Sequence, residues 1–144
     1  MNTTFRSLAA LLLVFTAGCA TQPVAVGERR QVSRVRIVNS ALLAPSPERT
    51  AKLIITRDAG YVGSLAGIDV FVGGQRVARL VKSESITVYV TPGRHLVGVR
   101  CSWGPVPPTE REFIADPQKP SRIRVTTEQN AKLDLKPESG LLTQ

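Results

Sequence analysis

The side chains that most metal sites and many catalytic sites require are scarce in this sequence. Its 144 residues include one histidine, His95, and two cysteines, Cys19 and Cys101. A zinc site in a protein normally takes three or four His, Cys or carboxylate ligands, and no stretch of this sequence offers such a set. We therefore expect no metal site, no cofactor and no enzymatic activity.

Long apolar runs are scarce as well. The run Leu8–Phe15 is unbroken, and no second run approaches the length of a spanning helix. A helix needs about 20 apolar residues to cross the hydrocarbon core of a bilayer, and this run is about half as long. One charged side chain, Arg6, precedes the run and three small residues at 16–18 follow it, which is typical of a secretory signal.

A cysteine follows those small residues directly. The motif Thr16-Ala17-Gly18-Cys19 resembles the lipobox of bacterial lipoproteins, although that motif usually has Leu in place of Thr16. The resemblance implies that residues 1–18 are a signal peptide cleaved before Cys19, and that Cys19 carries a diacylglycerol on Sγ and an acyl chain such as palmitate on its new amine. Ala20 stands where an Asp would imply retention in the inner membrane, so the resemblance implies anchoring in the bacterial outer membrane, facing the periplasm. The alternative is an ordinary signal peptide followed by an unrelated cysteine.

Acidic residues are fewer than basic ones. The sequence has 11 Asp and Glu against 19 Lys and Arg, for a formal charge of +8. Such a surface attracts anionic partners, which in a cell envelope are lipid phosphates, phospholipid head groups and cell-wall carboxylates. The alternative is that the charge only keeps the protein soluble. Basic and aromatic residues are not interleaved in the way that stacks nucleic-acid bases, so we expect no nucleic-acid partner.

Residues 19–50 are rich in Pro and Ser, which predicts a lipidated cysteine followed by a flexible tether. Within this stretch, residues 31–38 alternate loosely between apolar and basic side chains. Two interpretations remain open. One is a short edge strand whose arginines discourage further pairing, and the other is a basic arm that lies on anionic head groups.

Residues 51–137 carry a strong β-strand pattern, with turn signals about every ten residues and strict alternation over Ile86–Val90. Gly73-Gly74 predicts a tight hairpin, and Pro92-Gly93 predicts a turn after which the chain runs back. The predicted strands are Lys52–Arg57, Ile68–Val72, Val77–Val81, Ser85–Thr91, His95–Trp103, Glu110–Ile114, Arg122–Thr127 and Lys132–Lys136. The sequence thus predicts an all-β fold, a small antiparallel β-sandwich of about seven strands, followed by a frayed tail over 138–144.

Part of this domain resembles a known family. Between residues 51 and 103, an apolar strand ends in Arg57, a Gly-containing loop follows, Gly73-Gly74 precedes Gln75-Arg76-Val77, and a strand ends at Pro92-Gly93. This order is similar to that of a family of bacterial lipoproteins of unassigned role, domain of unknown function 2846. The Pro-Gly turn also resembles that of the small PEGA surface β-domains. The resemblance implies an architecture and brings no catalytic residues with it.

Three residues are candidate contacts for a ligand or partner: Arg57, Arg94 and Trp103. A guanidinium can clamp a carboxylate or phosphate with two hydrogen bonds, and the alternative for Arg57 is an internal pair with Asp58 or Asp69. Trp103 either offers an aromatic face to a ligand or plugs one end of the sandwich.

The second cysteine and the histidine have simpler interpretations. We expect His95 to be a polar surface residue. Cys101 is either a small buried apolar side chain or the site of an intermolecular disulfide.

Together these patterns predict a lipid-anchored, non-enzymatic cell-envelope lipoprotein, held to membrane lipid through Cys19, that presents its β-sandwich to another protein or a polymer. The alternative function is a periplasmic binder of an anionic ligand or cell-wall glycan, acting through the basic surface.

Overall fold

A computed structural model describes residues 21–60, 66–128 and 130–138. Within these residues, nine strands form two sheets that pack face to face, so the predicted all-β sandwich is confirmed. The predicted signal peptide, the predicted lipidation site at Cys19 and all but one residue of the predicted tail lie outside the described residues. Within the described part of the chain, no helix has the length and apolar character needed to span a membrane.

The strands follow the predicted ones closely from residue 51 onward, and one further strand precedes them. They are β1 (Arg30–Gln31), β2 (Ala51–Arg57), β3 (Ile68–Val72), β4 (Gln75–Leu80), β5 (Glu84–Val90), β6 (Gly93–Cys101), β7 (Thr109–Ala115), β8 (Ser121–Thr127) and β9 (Leu133–Pro137).

The first sheet has the strand order β1-β5-β2-β8-β9, and the second has the order β4-β3-β6-β7. All neighbours are antiparallel except two pairs in the first sheet, β1 with β5 and β2 with β8. The prediction of an antiparallel sandwich therefore holds for the second sheet and for most of the first. A parallel pair needs a long crossover, and the chain from β2 to β8 makes one by passing through the second sheet.

The core lies between the two sheets and is built by alternation. In each long strand every second residue points inward, where its removal from water stabilises the fold. The fully buried large side chains are Leu53, Ile55, Val70, Val77, Leu80, Ile86, Val88, Val97, Val99, Ile123, Val125 and Leu135.

The two predicted turns have different outcomes. Gly73 and Gly74 have φ angles of 58° and 76°, which glycine adopts easily, and they join β3 to β4 in the predicted hairpin. The prediction that the chain runs back after Pro92-Gly93 within one hairpin is wrong, because β5 and β6 belong to different sheets. Gly93, with φ at 123°, helps the chain to cross from one sheet to the other.

The predicted tether is wrong for its described part, residues 21–50, because this segment is packed on the sandwich. Gln22 exchanges backbone hydrogen bonds with Ala59 just beyond β2, at 2.6 and 3.0 Å. Val24 is 4% exposed. The segment folds onto the domain because it supplies buried apolar side chains and backbone hydrogen bonds, which a composition rich in Pro and Ser does not reveal.

Residues 31–38 form neither a full strand nor a free arm. After β1 pairs with the edge strand β5, the chain makes short 3-10 turns at Arg34–Arg36 and Ser40–Leu43. Between the turns, the backbone N–H groups of Val38 and Asn39 donate to the carbonyl of Val77, the bulged residue of β4. The segment thus runs from the edge of the first sheet to the edge of the second and covers the β5 and β4 edges.

Candidate anion-binding face

Asp69 lies on β3 and points away from the core, yet it is only 2% exposed. It is opposite Arg79 on β4 and Arg100 on β6 in the register of the second sheet. The Arg79 Nε donates to Asp69 Oδ1 at 2.9 Å, and the Arg100 Nη2 lies 3.5 Å from Oδ2. A third guanidinium, that of Arg76, has its Nε 3.5 Å from Oδ1. These four residues are called the Asp69 cluster below.

The Asp69 cluster holds three positive charges against one negative charge, so it carries an excess of positive charge. The side chains of Arg76, Arg79 and Arg100 are between 32% and 39% exposed, and they form the solvent side of the cluster. The Nε atoms of Arg76 and Arg100 are buried and make no hydrogen bond within the described residues, so a second anion would have to meet the exposed parts of the guanidinium groups. Guanidinium groups bind carboxylates and phosphates with paired hydrogen bonds, so the cluster has spare capacity for a second anion.

A glycine makes room for Arg79 on the sheet, and an aromatic ring supports Arg100. A Cβ at Gly67 would be 2.5 Å from Arg79 Cδ, so the absence of a side chain there makes room for the Arg79 stem. The Arg100 guanidinium stacks 5.2 Å from the centroid of the Phe71 ring. The cation–π contact holds Arg100 over the sheet.

A second buried carboxylate, that of Asp58, is paired with a single arginine. It points away from the core on the first sheet, and Arg124 on β8 donates to it from Nε at 3.0 Å and also from Nη2. Burial raises the pKa of Asp58, and the hydrogen bond from Arg124 opposes that rise. The same hydrogen bond raises the pKa of Arg124. Here one arginine matches one carboxylate, and the two charges are sequestered together.

Arg57 connects the two sheets from a buried position. It is 3% exposed, and its Nη1 donates to the carbonyl of Ala66, just before β3, at 2.6 Å and to the carbonyl of Leu80, at the end of β4, at 3.1 Å. Burial lowers the pKa of Arg57. Its predicted internal pairing with Asp58 or Asp69 is wrong, because other arginines take those carboxylates. Its role as a ligand contact stays a prediction.

Arg94 and Trp103 lie near opposite ends of β6 and do not form one site. The Arg94 side chain is 75% exposed and pairs with Glu112 of β7 at 3.1 Å. Trp103 follows the end of β6 and is 69% exposed, so the interpretation that it plugs the sandwich is wrong. The structure therefore separates the three predicted contact residues.

His95 and Cys101 lie near opposite ends of β6 and do not form one site. The His95 Nε2 is 2.7 Å from the carbonyl oxygen of Thr91, which places the ring at the turn between the sheets. Cys101 is a half-buried free thiol at the end of β6. Within the described ranges, no group of three or more His, Cys, Asp or Glu side chains is placed to hold a metal ion.

The arginines of the Asp69 cluster were not among the predicted site residues. Their signal in the sequence is weak, because Arg76 and Arg79 are separated by two apolar residues, which a regular strand would not place on one face, and Arg100 stands between Val99 and Cys101. The sequence does not state which strands are neighbours, and only the register brings the three arginines onto one carboxylate.

Comparisons of the chain with protein-family models, with curated proteins and with solved structures gave no match. The resemblance to the lipoprotein family of unassigned role stays a prediction, and a function has to be argued from the residues themselves.

Proposed function

We propose that this protein is a lipid-anchored, non-enzymatic lipoprotein of the bacterial outer membrane that presents its β-sandwich to another envelope protein or a polymer. The proposal rests chiefly on one observation: the apolar run Leu8–Phe15 ends in small residues and Cys19, and a packed domain begins within three residues, at Gln22. Each acyl CH₂ buried in a bilayer contributes about 0.8 kcal/mol, so two or three chains on Cys19 hold the domain at the membrane without a protein helix.

The role of the buried carboxylates supports a binding module over a catalyst. Asp58, Asp69 and Glu84 are each less than 5% exposed, and each is paired with arginine. Paired in this way, the carboxylates hold strands and the N-terminal segment together. The resemblance to domain of unknown function 2846 fits the same role, because that family is one of lipoproteins.

The anchor is tested by growing bacteria that express the full chain with an alkyne analogue of palmitate. We expect the purified protein to carry the label and the Cys19→Ala variant to carry none. Cys101→Ala is the matched control, since it removes the other cysteine and should keep the label. A mature wild-type protein that takes up no label, or a Cys19→Ala variant that is still acylated, contradicts the proposal.

A second candidate function is binding of an anionic ligand or cell-wall glycan, and the Asp69 cluster favours it. Its three arginine side chains are 32–39% exposed on the outer side of the second sheet, and they outnumber the one carboxylate that they share. Cell-wall carboxylates and lipid phosphates match this donor set. This function adds a ligand to the anchored module and does not compete with the anchor.

The second candidate is tested by retention on isolated peptidoglycan at low and high salt. The variant Arg76→Met with Arg100→Met leaves the 2.9 Å Arg79–Asp69 pair in place, and we expect it to lose most of the salt-sensitive retention. The matched control is Arg94→Met with Arg122→Met, which removes two exposed arginines near the other end of the sheets. Equal retention of both double variants, or retention that salt does not change, overturns the electrostatic site.

A further inference from the structure

The sandwich has two ends, and the described chain begins at one of them. This entry end is defined by Thr21–Gln22 and by the segments 57–60, 66–67, 81–84, 102–108, 127–128 and 130–132. The far end is defined by the turns at 73–74, 91–92 and 116–120. Two kinds of contact confirm that the entry-end segments lie together. Between the sheets, Arg57 reaches from the end of β2 to the carbonyls of Ala66 and Leu80, and within the second sheet the Ser102 N–H donates to the carbonyl of Gly67.

The proposed anchor would keep the entry end close to the membrane. Three peptide units separate Cys19 from Gln22, and Gln22 is fixed to Ala59 by two backbone hydrogen bonds. Consecutive Cα atoms are 3.8 Å apart across a trans peptide, so the two residues are separated by at most about 11 Å. The polar head-group layer of each leaflet is about 5–8 Å thick. An acylated Cys19 therefore holds the entry end against the head groups.

The entry end also exposes apolar side chains. Trp103 is 69% exposed and Val106 is 57% exposed, both in the loop 102–108 that joins β6 to β7. Three prolines at 105, 107 and 108 restrict the backbone of this loop. Tryptophan favours the membrane–water interface because its ring is apolar and its indole N–H keeps a polar partner.

Basic residues are exposed at the same end as this loop. Arg30, Lys82 and Lys132 are exposed there, with Glu128 as an exposed opposing charge. Arg30 donates to the carbonyl of Lys82, which places these two charges side by side. Each basic residue near an anionic leaflet contributes about 1 kcal/mol of attraction.

From this arrangement we propose that the entry end docks on the lipid bilayer, with Trp103 and Val106 in the head-group region and Arg30, Lys82 and Lys132 beside lipid phosphates. The proposal rests on the proposed anchor at Cys19 and adds a fixed orientation to it. The strands then stand away from the membrane, and the far end faces the periplasm.

The test uses the acylated full-length protein, purified in detergent and reconstituted into vesicles of equal parts phosphatidylethanolamine and phosphatidylglycerol, with and without brominated acyl chains. Trp103 is the one tryptophan of the chain, so intrinsic fluorescence reports on its position alone. We expect a blue-shifted emission on reconstitution and strong quenching by the brominated lipid. Val106→Asp should weaken both effects, because it places a charge in the inserted loop.

The matched control moves the tryptophan to the far end. Ile114 is 66% exposed, close to the exposure of Trp103, and lies near the far end of β7. In the variant Trp103→Phe with Ile114→Trp, we expect no quenching and an emission close to that in water. Equal quenching at both positions shows that the domain has no fixed orientation and overturns the proposal.

The mass of Cys19 in the same preparation separates the two proposals. Acylated protein with an unquenched Trp103 overturns the docking of the entry end and leaves the anchor standing. Protein without acyl chains overturns the anchor and the docking together. A Trp103 that is unquenched in vesicles but protected in intact envelopes also overturns bilayer docking, and indicates that the loop 102–108 binds a protein.

Discussion

The outer faces of the two sheets differ in what covers them. On the first sheet, Thr56, Asp58, Ser85 and Thr126 point away from the core and are still at most 6% exposed, because the N-terminal segment crosses this face. On the second sheet, no described segment crosses the outer face, and Leu96 and Ile114 stand in solvent at 43% and 66% exposure.

The difference also appears in how charges are matched. Under the N-terminal segment each carboxylate has one arginine as its ion-pair partner: Asp58 pairs with Arg124, and Glu138 pairs with Arg29. On the uncovered face, three arginines share Asp69. Removing one partner of a buried ion pair is costly because the remaining charge is left without a partner. A carboxylate that several arginines share still has the other arginines when one is removed. The covered face therefore serves stability, and the uncovered face has charge available for a partner.

The largest expected effect is on the covered face. Arg124→Met leaves the buried Asp58 without its partner, and we expect the free energy of unfolding to fall by about 3 kcal/mol, the lower end for a broken buried pair because Arg124 is partly exposed. Denaturant unfolding followed by circular dichroism measures the change. Arg122→Met, on the same strand and face but exposed, is the control and should change stability by less than about 0.5 kcal/mol. Equal effects of the two variants would remove the distinction between the faces.

A smaller effect is expected from the segment that covers the first sheet. Val24→Ala removes two buried methyl groups at a residue that is 4% exposed, and we expect a loss of about 1–2 kcal/mol. Val35→Ala is the matched control, because Val35 is in the same segment and 89% exposed, and it should be neutral. Thermal unfolding of both variants decides whether residues 21–50 belong to the folded unit. A neutral Val24→Ala would return this segment to the predicted tether.

Much of the domain can be predicted from sequence because strand signals are local. The alternation at Ile86–Val90 and the paired glycines at 73–74 determine strand boundaries and one hairpin without knowledge of the rest of the chain. The crossing after Pro92-Gly93 cannot be predicted in this way. Pro and Gly are favoured both in a turn within one sheet and in a connection between two sheets. Which of the two forms depends on the strands with which β5 and β6 pair, and these lie far away in the sequence.

The packed N-terminal segment and the Asp69 cluster are hard to predict for the same reason. Val24 and Val26 lie two residues apart, yet they are 4% and 69% exposed, and nothing in the local sequence indicates which of them is buried. Arg79 and Arg100 are separated by 20 intervening residues, and only the pairing of β3 with both β4 and β6 brings them to one carboxylate. Tertiary register is not a property of any short stretch of sequence.

The pH dependence of stability gives a third comparison. Burial raises the pKa of Asp58, so between its unfolded value, about 3.9, and its folded value the folded state binds more protons than the unfolded state. The contribution of Asp58 to the free energy of unfolding therefore decreases as pH rises through this interval. Asp58→Asn should abolish this part of the slope, and Asp116→Asn, at an exposed carboxylate, should keep it. Urea unfolding at a series of acidic pH values measures both, and an unchanged slope in Asp58→Asn contradicts the assignment.

The smallest expected effect is on the uncovered face. Arg79→Met removes the shortest contact to Asp69, but Arg76 and Arg100 remain within 3.5 Å of the carboxylate. We expect a loss below about 1 kcal/mol, typical of an ion pair near the surface. Methionine keeps most of the apolar stem that lies over Gly67, so the measurement isolates the charge. Arg124→Met and Arg79→Met are thus the same substitution with unequal expected results. Asp58 loses its one arginine, whereas Asp69 keeps two of its three. If Arg79→Met destabilises the protein as much as Arg124→Met, the positive charge of the Asp69 cluster is needed for folding and is not in surplus for a ligand.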